Sequence, residues 1–235
     1  MIPAGGKGTR LKPYTTVLPK PLLPVGDMPI LEIIIRQLES QSLRDIIITV
    51  GALGELIVNF FGNGSRLGVD IEYCREDRPL GTVGGLGLVK DKLTDTFLML
   101  NGDTLTTLSF SELVSYHNKT GSIATLALQR RKTYSDFGIV ELSETNSVKR
   151  YVEKPITEHL VCMGIYVFEP RVLQFIKSGE KLDIPDLVET LISSGEDVAA
   201  FVFDGYWLDI GKQDDYEKAN AEIEKIYPKL FRKQA

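Results

Sequence analysis

The sequence is poor in the residues that staple small proteins together or hold metals through soft ligands. Only Cys74 and Cys162 occur in 235 residues. Two cysteines exclude a disulfide scaffold and point to a reducing, cytoplasmic setting. His117 and His159 stand alone, no Cys/His spacing suits zinc, and both histidines read as satisfied surface or edge positions. No apolar run reaches the ~18 residues of a membrane span. The opening residues lack the charged and then apolar pattern of a signal peptide. Positive charge is in deficit: 27 Lys and Arg face 32 Asp and Glu, a net charge of −5. A nucleic-acid surface needs a basic face, so none is expected. No repeat, low-complexity tract or linker interrupts the chain, so one domain over 1–235 is expected. Its 43% apolar and 25% charged residues are ordinary for a sizeable core.

What is present alternates between strand and helix signals. Asp45–Gly51 is a β-branched run ended by glycine, a buried strand. Met28–Gln41 has proline in its first turn and a long apolar face, a helix. Gly54–Gly64 reads as a short helix and Val69–Cys74 as an alternating strand. Thr82–Leu93 reads as a helix despite three glycines. Each costs ~1 kcal/mol against alanine there, so something is expected to pack closely against it. Thr96–Asp103 is an apolar strand ending in Asn-Gly-Asp. Ser109–Gly121 is a capped helix. Strand-like segments follow (SIATLALQRR, FGIVEL, SVKRYVEK, LVCMGIYVF), then helical PRVLQFIKSG and IPDLVETLISSG. Strands VAAFVFDG and YWLDIG and a charged helix, QDDYEKANAEIEKIY, complete the chain. This last helix reads as solvated, and a homo-oligomer is left open. The pattern is α/β, a doubly wound Rossmann-like mixed sheet, with ligands expected outside the carboxyl ends of the strands. Cys162 reads as a small buried strand residue.

Two places at those ends draw notice: Asp103, and the loop GGKGTRLKPYTTVLPKPLLPVG. The loop is not G-x-G-x-x-G, because the third glycine is absent and no helix starts into Lys12-Pro13. Nor is it a P-loop, because no Gly-Lys-Ser/Thr follows. A looser triphosphate cradle suits it. Backbone N–H groups of Gly5, Gly6, Lys7 and Gly8 make an anion nest, and Arg10 and Lys20 add full charges. The bland alternative is a basic surface loop.

The string AGGKGTRLKPYTTVLPKPLLPVGDMPIL resembles the signature of the sugar nucleotidyltransferases, the nucleoside-diphosphate-sugar pyrophosphorylases. RPLGTVGGL, LNGD, DFGIVEL, VEKP, GIYVFEP and YWLDIG agree in order, so the resemblance covers essentially the whole chain. In style it is similar to mannose-1-phosphate guanylyltransferase-like members, which serve nucleotide-sugar and polysaccharide biosynthesis.

The resemblance implies transfer of a nucleotidyl group from an NTP to a sugar 1-phosphate, in a nucleotide-binding half (about 1–110) and a sugar-phosphate-binding half (about 111–235). Such chemistry rests on positioning and charge neutralisation. The resemblance makes Arg10 and Lys20 catalytic, with Pro19 and Pro21 stiffening the arm around Lys20. It assigns the nucleotide to Ala4, Gly5, Gly6, Gly8, Thr9, Glu76, Pro79, Gly81, Thr82 and Gly102, and leaves Lys7 solvent-exposed. It assigns Mg²⁺ to Asp103 and Asp209; a hard cation takes one or two carboxylates plus phosphates. It assigns the sugar phosphate to Gly138, Glu153, Lys154 and Gly164.

A carboxylate at Glu76 is better satisfied by the two donors of guanine than by the one of uracil. That favours GTP with mannose 1-phosphate or a related sugar; UTP and dTTP are the alternatives. Two departures stand out. Cys162-Met163 replace the Asn-Ala of many relatives, which leaves the sugar open. Pro3 stands where an apolar strand residue is expected, so the strand is either short, ending at Pro3, or partly missing, and the phosphate loop would be loosened. The chain has no room for a left-handed β-helix domain, so versions of the family carrying one are not expected. A non-catalytic nucleotide-sugar-binding protein on the same fold is the rival. Such a protein can lose the charged set freely, yet Arg10, Lys20, Asp103 and Asp209 are all kept.

Overall fold

The structure is a computed structural model that describes residues 1–6 and 8–231; the reading of Lys7 lies outside the described residues. Strand β1 (Ile2–Ala4) leads through a loop of short 3-10 turns to the small pair β2 (Pro24–Val25) and β3 (Met28–Pro29). Helix α1 (Ile30–Ser40) therefore starts two residues later than its apolar pattern predicts, because Met28 and Pro29 are spent on that pairing. Strand β4 (Asp45–Val50), helix α2 (Gly54–Phe61) and strand β5 (Asp70–Arg75) follow, then β6 (Phe97–Leu100), β7 (Thr104–Thr106) and α3 (Phe110–Thr120). The second half holds β8 (Ala124–Tyr134), β9 (Ile139–Leu142), β10 (Val148–Val152), β11 (Ile156–Phe168), α4 (Ile184–Ser193), β12 (Val198–Val202), β13 (Trp207–Asp209) and α5 (Gln213–Leu230).

One unit of sheet is parallel, in the order β1-β4-β5; the other is mixed, β12-β8-β11-β6. Met1 joins them. Its N–H donates to Leu98 O (2.9 Å) and its carbonyl accepts from Leu100 N (3.2 Å), the pattern of a parallel ladder. Pro3 does not end β1: it sits mid-strand opposite Thr49, and Ile2 beside it is fully buried. Alternation turns the N–H that Pro3 lacks toward β6, where that strand is ending and Asn101 N turns to Gly164 O instead (2.9 Å). The loss is one ladder bond at a strand end.

Two apolar layers cover the faces of the sheet. Period-two alternation sorts the side chains: Leu98 and Leu100 of β6, with Ile165 and Val167 of β11, enter one core, and Met99, Tyr166 and Phe168 enter the other. Helix α1 buries Ile30, Leu31, Ile33, Ile34, Ile35 and Leu38 in the first core. Each buried aliphatic side chain contributes about 1.5–3 kcal/mol. Helix α5 corrects the solvated reading: it buries Ala219, Ile223, Ile226 and Leu230 in the same core. It also ties down the arm before α1, with Tyr216 Oη donating to Pro24 O (2.6 Å) and Gly26 N donating to Asn220 Oδ1 (3.0 Å).

The segment expected as a helix at Thr82–Leu93 is two 3-10 turns, Gly84–Leu88 and Lys90–Lys92. The close packing its glycines called for is present. A Cβ on Gly84 would lie 2.5 Å from Glu180 O, and one on Gly87 3.0 Å from Ser178 Cα. No helix among the described residues is long and apolar enough to cross a membrane.

Candidate active site

A cleft of about 420 Å³ opens outside the carboxyl ends of β1, β5 and β6. Every catalytic, nucleotide and metal candidate lines it: Ala4, Gly5, Gly6, Gly8, Thr9, Arg10, Lys20, Glu76, Pro79, Gly81, Thr82, Gly102, Asp103 and Asp209.

The glycine loop leaves β1 and turns sharply at Gly8, whose φ is +58°. A Cβ there would meet Thr15 Cγ2 at 2.9 Å and Lys20 Cβ at 3.2 Å. Glycine is thus required both for its backbone angle and for space. Thr15 Oγ1 donates to Gly8 O (2.8 Å) and pins the loop. Gly6 faces open space. Arg10 follows on the 3-10 turn Thr9–Leu11, anchored by buried Leu11. Lys20 sits between Pro19 and Pro21, both buried, and its side chain is only 12% exposed. The two rings lock the backbone about it, and its ammonium forms an ion pair with Asp103 Oδ2.

Asp103 and Asp209 are distant in sequence and adjacent in space because β7 pairs with β13. Asp209 stands opposite Thr104, and Ile210 N donates to Asp103 O (3.0 Å). Trp207 anchors this strand through Nε1, which donates to Met163 O (2.9 Å), while the Arg131 guanidinium lies over its ring at 4.9 Å. Asp209 keeps part of its surface open to solvent, but the cleft walls crowd its carboxyl and push it above its ordinary range, and the charge of Asp103 adds to this; Lys20 and Arg10 oppose it. Asp103 Oδ1 is buried with no hydrogen-bond partner. Such an oxygen is costly unless something fills its lone pairs. With Asp209 beside it and phosphate expected nearby, the donor set fits a hard, oxygen-seeking cation. Among the described residues no group of three or more His, Cys, Asp or Glu side chains converges, here or elsewhere, so the protein offers a cation two carboxylates and leaves the other positions to phosphate and water.

Glu76 begins where β5 ends. Its carboxylate is enclosed, with Oε2 accepting from Leu80 N (3.3 Å) and lying 3.0 Å from where a Gly5 Cβ would stand. It therefore holds the turn that begins at Leu80 and lies close beside the phosphate loop.

The sugar-phosphate candidates are split. Gly164 lies beside the cleft: its φ is +72°, and an added Cβ would come within 2.5 Å of Asn101 Nδ2. Gly138, Glu153 and Lys154 lie instead on the exposed β9–β10 arm, where Tyr151 Oη donates to Glu153 Oε2 (2.7 Å). The structure does not bring these three into the cleft. Cys162 is exposed rather than buried, with its thiol 3.3 Å from Tyr166 Oη. His117 is buried rather than at the surface and is satisfied by Thr125 Oγ1 (2.8 Å) and Glu169 Oε1 (3.0 Å).

Sequence reasoning missed Asn101 and Asp183, which also line the cleft. Asp183 precedes a helix and reads there as an ordinary cap; nothing local in the sequence tells where its side chain turns.

Comparison with known proteins bears on this arrangement. Residues 1–226 match the family described as Nucleotidyl transferase. A UTP–glucose-1-phosphate uridylyltransferase of Synechocystis sp. is 34% identical over 93% of this chain and 61% of its own length. A mannose-1-phosphate guanylyltransferase of Mycobacterium tuberculosis is 33% identical over 93% of this chain and 62% of its own. This chain thus spans about three fifths of the length of these relatives. The crystal structure of HddC from Yersinia pseudotuberculosis shares the fold, with a TM-score of 0.73 at 24% identity over 94% of this chain and 97% of that one. With the family match running through both halves of the sheet and every strand that borders the cleft, the chain belongs to the nucleotidyl transferase family.

Proposed function

We propose that the protein transfers a nucleotidyl group from an NTP to a sugar 1-phosphate, releasing pyrophosphate and an NDP-sugar. One observation carries the reading: the glycine loop, Arg10, Lys20, Asp103 and Asp209 meet in one cleft at the strand ends. An oxygen of the sugar phosphate attacks the α-phosphorus in line, a new P–O bond forms, and the bond to pyrophosphate breaks. The reaction gathers negative charge, so positioning and counter-charge dominate catalysis. In this reading the N–H groups of Gly5, Gly6 and Gly8 bind the triphosphate, and Arg10 neutralises the leaving pyrophosphate. Lys20, held by its proline neighbours, meets the reacting phosphates. Asp103 and Asp209 hold Mg²⁺, and a bound Mg²⁺ supplies further charge neutralisation. Leu80, Gly81 and Thr82 face the base.

On the sugar side, Gly164 gives close backbone approach at the cleft; Glu153 and Lys154, which stand on the arm outside the cleft, are offered for the sugar phosphate by the family resemblance alone. The reading keeps GTP and mannose 1-phosphate or a related sugar as the substrate pair, supported by the Glu76 carboxylate at the base turn, and it keeps a cytoplasmic setting. The test is pyrophosphate release with each of GTP, UTP, dTTP and ATP against a panel of sugar 1-phosphates. Turnover with one pair well above the rest is expected, and no turnover with any pair by folded protein would sink the reading.

A further inference from the structure

Asp183 stands at the N-cap of α4, with extended backbone (φ −105°, ψ 159°), yet its side chain makes no capping bond to its own helix. An aspartate in that position ordinarily accepts from the second or third N–H of the helix. Here Oδ1 turns away and accepts from Thr82 N (3.0 Å), with Thr82 Oγ1 at 3.5 Å. The other oxygen, Oδ2, pairs with Lys181 Nζ (3.3 Å). Thr82 returns the exchange: its Oγ1 accepts from Ile184 N (2.9 Å), the first N–H of α4. Each segment thus caps the other.

The backbone around this exchange is equally reciprocal. Leu182 N donates to Leu80 O (2.9 Å), and Leu182 O accepts from Val83 N (3.1 Å) and Gly84 N (3.2 Å). Gly81 between them has φ +78°, and a Cβ there would lie 2.5 Å from Leu182 O and 2.6 Å from Asp183 Oδ1. Arg78 Nη2 closes the far side on Gly179 O (2.8 Å). The turn Leu80–Thr82 thus takes its shape from a strip of the second half of the chain. The Thr82 N–H holds the Asp183 carboxyl below its ordinary range, so this acceptor is charged at neutral pH.

We infer that Asp183 is a positioning residue for nucleotide recognition: it fixes the turn Leu80–Thr82 that meets the base, and so couples the nucleotide site to α4. This rests on the proposed nucleotidyl transfer. Loss of the hydrogen bond that holds the turn should weaken nucleotide binding about tenfold.

The test uses the full chain with GTP, UTP and dTTP, by calorimetric titration and by steady-state kinetics. Asp183→Ser keeps a hydroxyl able to cap α4 but too short to hold Thr82, so the fold is kept while the exchange is lost. Asp183→Asn keeps the accepting oxygen. The expected result is a nucleotide Kd and KM raised about tenfold in Asp183→Ser, with an unchanged KM for sugar 1-phosphate and recovery in Asp183→Asn. Unchanged nucleotide affinity in Asp183→Ser overturns the inference. So does an Asp183→Asn variant as weak as Asp183→Ser, which would mean that the charge itself meets the ligand. Wild-type protein that binds none of the three nucleotides removes the underlying reading, and the inference with it.

Discussion

At the scale of single residues, the cleft is a balance of charge in a partly dry place. Lys20 and Asp103 are paired, Asp103 keeps an unsatisfied oxygen, and Asp209 pays a desolvation penalty beside it. Removing one member unbalances the rest. Lys20→Ala and Asp209→Ala are each expected to cut turnover by about 10²-fold or more while the circular dichroism spectrum stays that of the wild type. A normal rate in either variant takes that residue out of the site. Gly81→Ala tests backbone shape instead of charge. Its positive φ and the nearby Leu182 carbonyl make the substitution strained, about 1–3 kcal/mol in denaturant unfolding. The nucleotide KM should rise with it; an unchanged KM and midpoint would mean that the turn tolerates a side chain.

The elements show why some of the architecture was legible in the sequence and some was not. The β-branched run at Asp45–Val50 and the capped helix with Ser109 and Gly121 announce themselves by local chemistry, and both are where they were read. Thr82–Leu93 misled because Val83, Leu86, Val89 and Leu93 carry helical spacing. They are buried, but the glycines between them yield to the backbone of 177–182 rather than to a helix axis. Helix α5 was misjudged in the other direction. Its polar surface hid the spacing of Ala219, Ile223, Ile226 and Leu230, which was there to be counted.

Two predictions belong at this scale. Ile34→Ala in α1 should destabilise the protein by about 2–5 kcal/mol, measured by urea unfolding; a change under about 1 kcal/mol would mean that its core site collapses freely. Glu169 joins β11 to α3, accepting from Thr96 Oγ1 (2.6 Å) and bonded to His117 Nε2 (3.0 Å). The Thr96 bond, with help from His117 and Arg171, holds its carboxyl below the ordinary range. A lowered folded-state pKa gives stability that is present above the unfolded value, about 4.3 for glutamate, and lost as pH falls through the folded value. The melting temperature of the wild type should therefore drop more steeply than that of Glu169→Gln below about pH 5. Parallel curves would show that the carboxylate adds nothing.

Across the whole molecule, the site is a product of topology. Arg10 and Lys20 come from the loop after β1, Glu76 from the end of β5, Asp103 from the end of β6, and Asp209 from β13, and only the sheet order brings them together. Composition and spacing were enough to find the glycine loop and Asp103. Asp209 had no local signal and was found through family resemblance. Asp183 was found by neither, because its meaning lies in a contact between the two halves. The arm carrying Gly138, Glu153 and Lys154 stands apart from the cleft.

The most direct test of the account follows the phosphorus. NTP labelled at the α-phosphate is incubated with a sugar 1-phosphate and Mg²⁺, and the products are separated. The account predicts label in the NDP-sugar and none in pyrophosphate, with the reverse for γ-label. Label confined to unreacted NTP, or released as nucleoside monophosphate without a sugar attached, would contradict it.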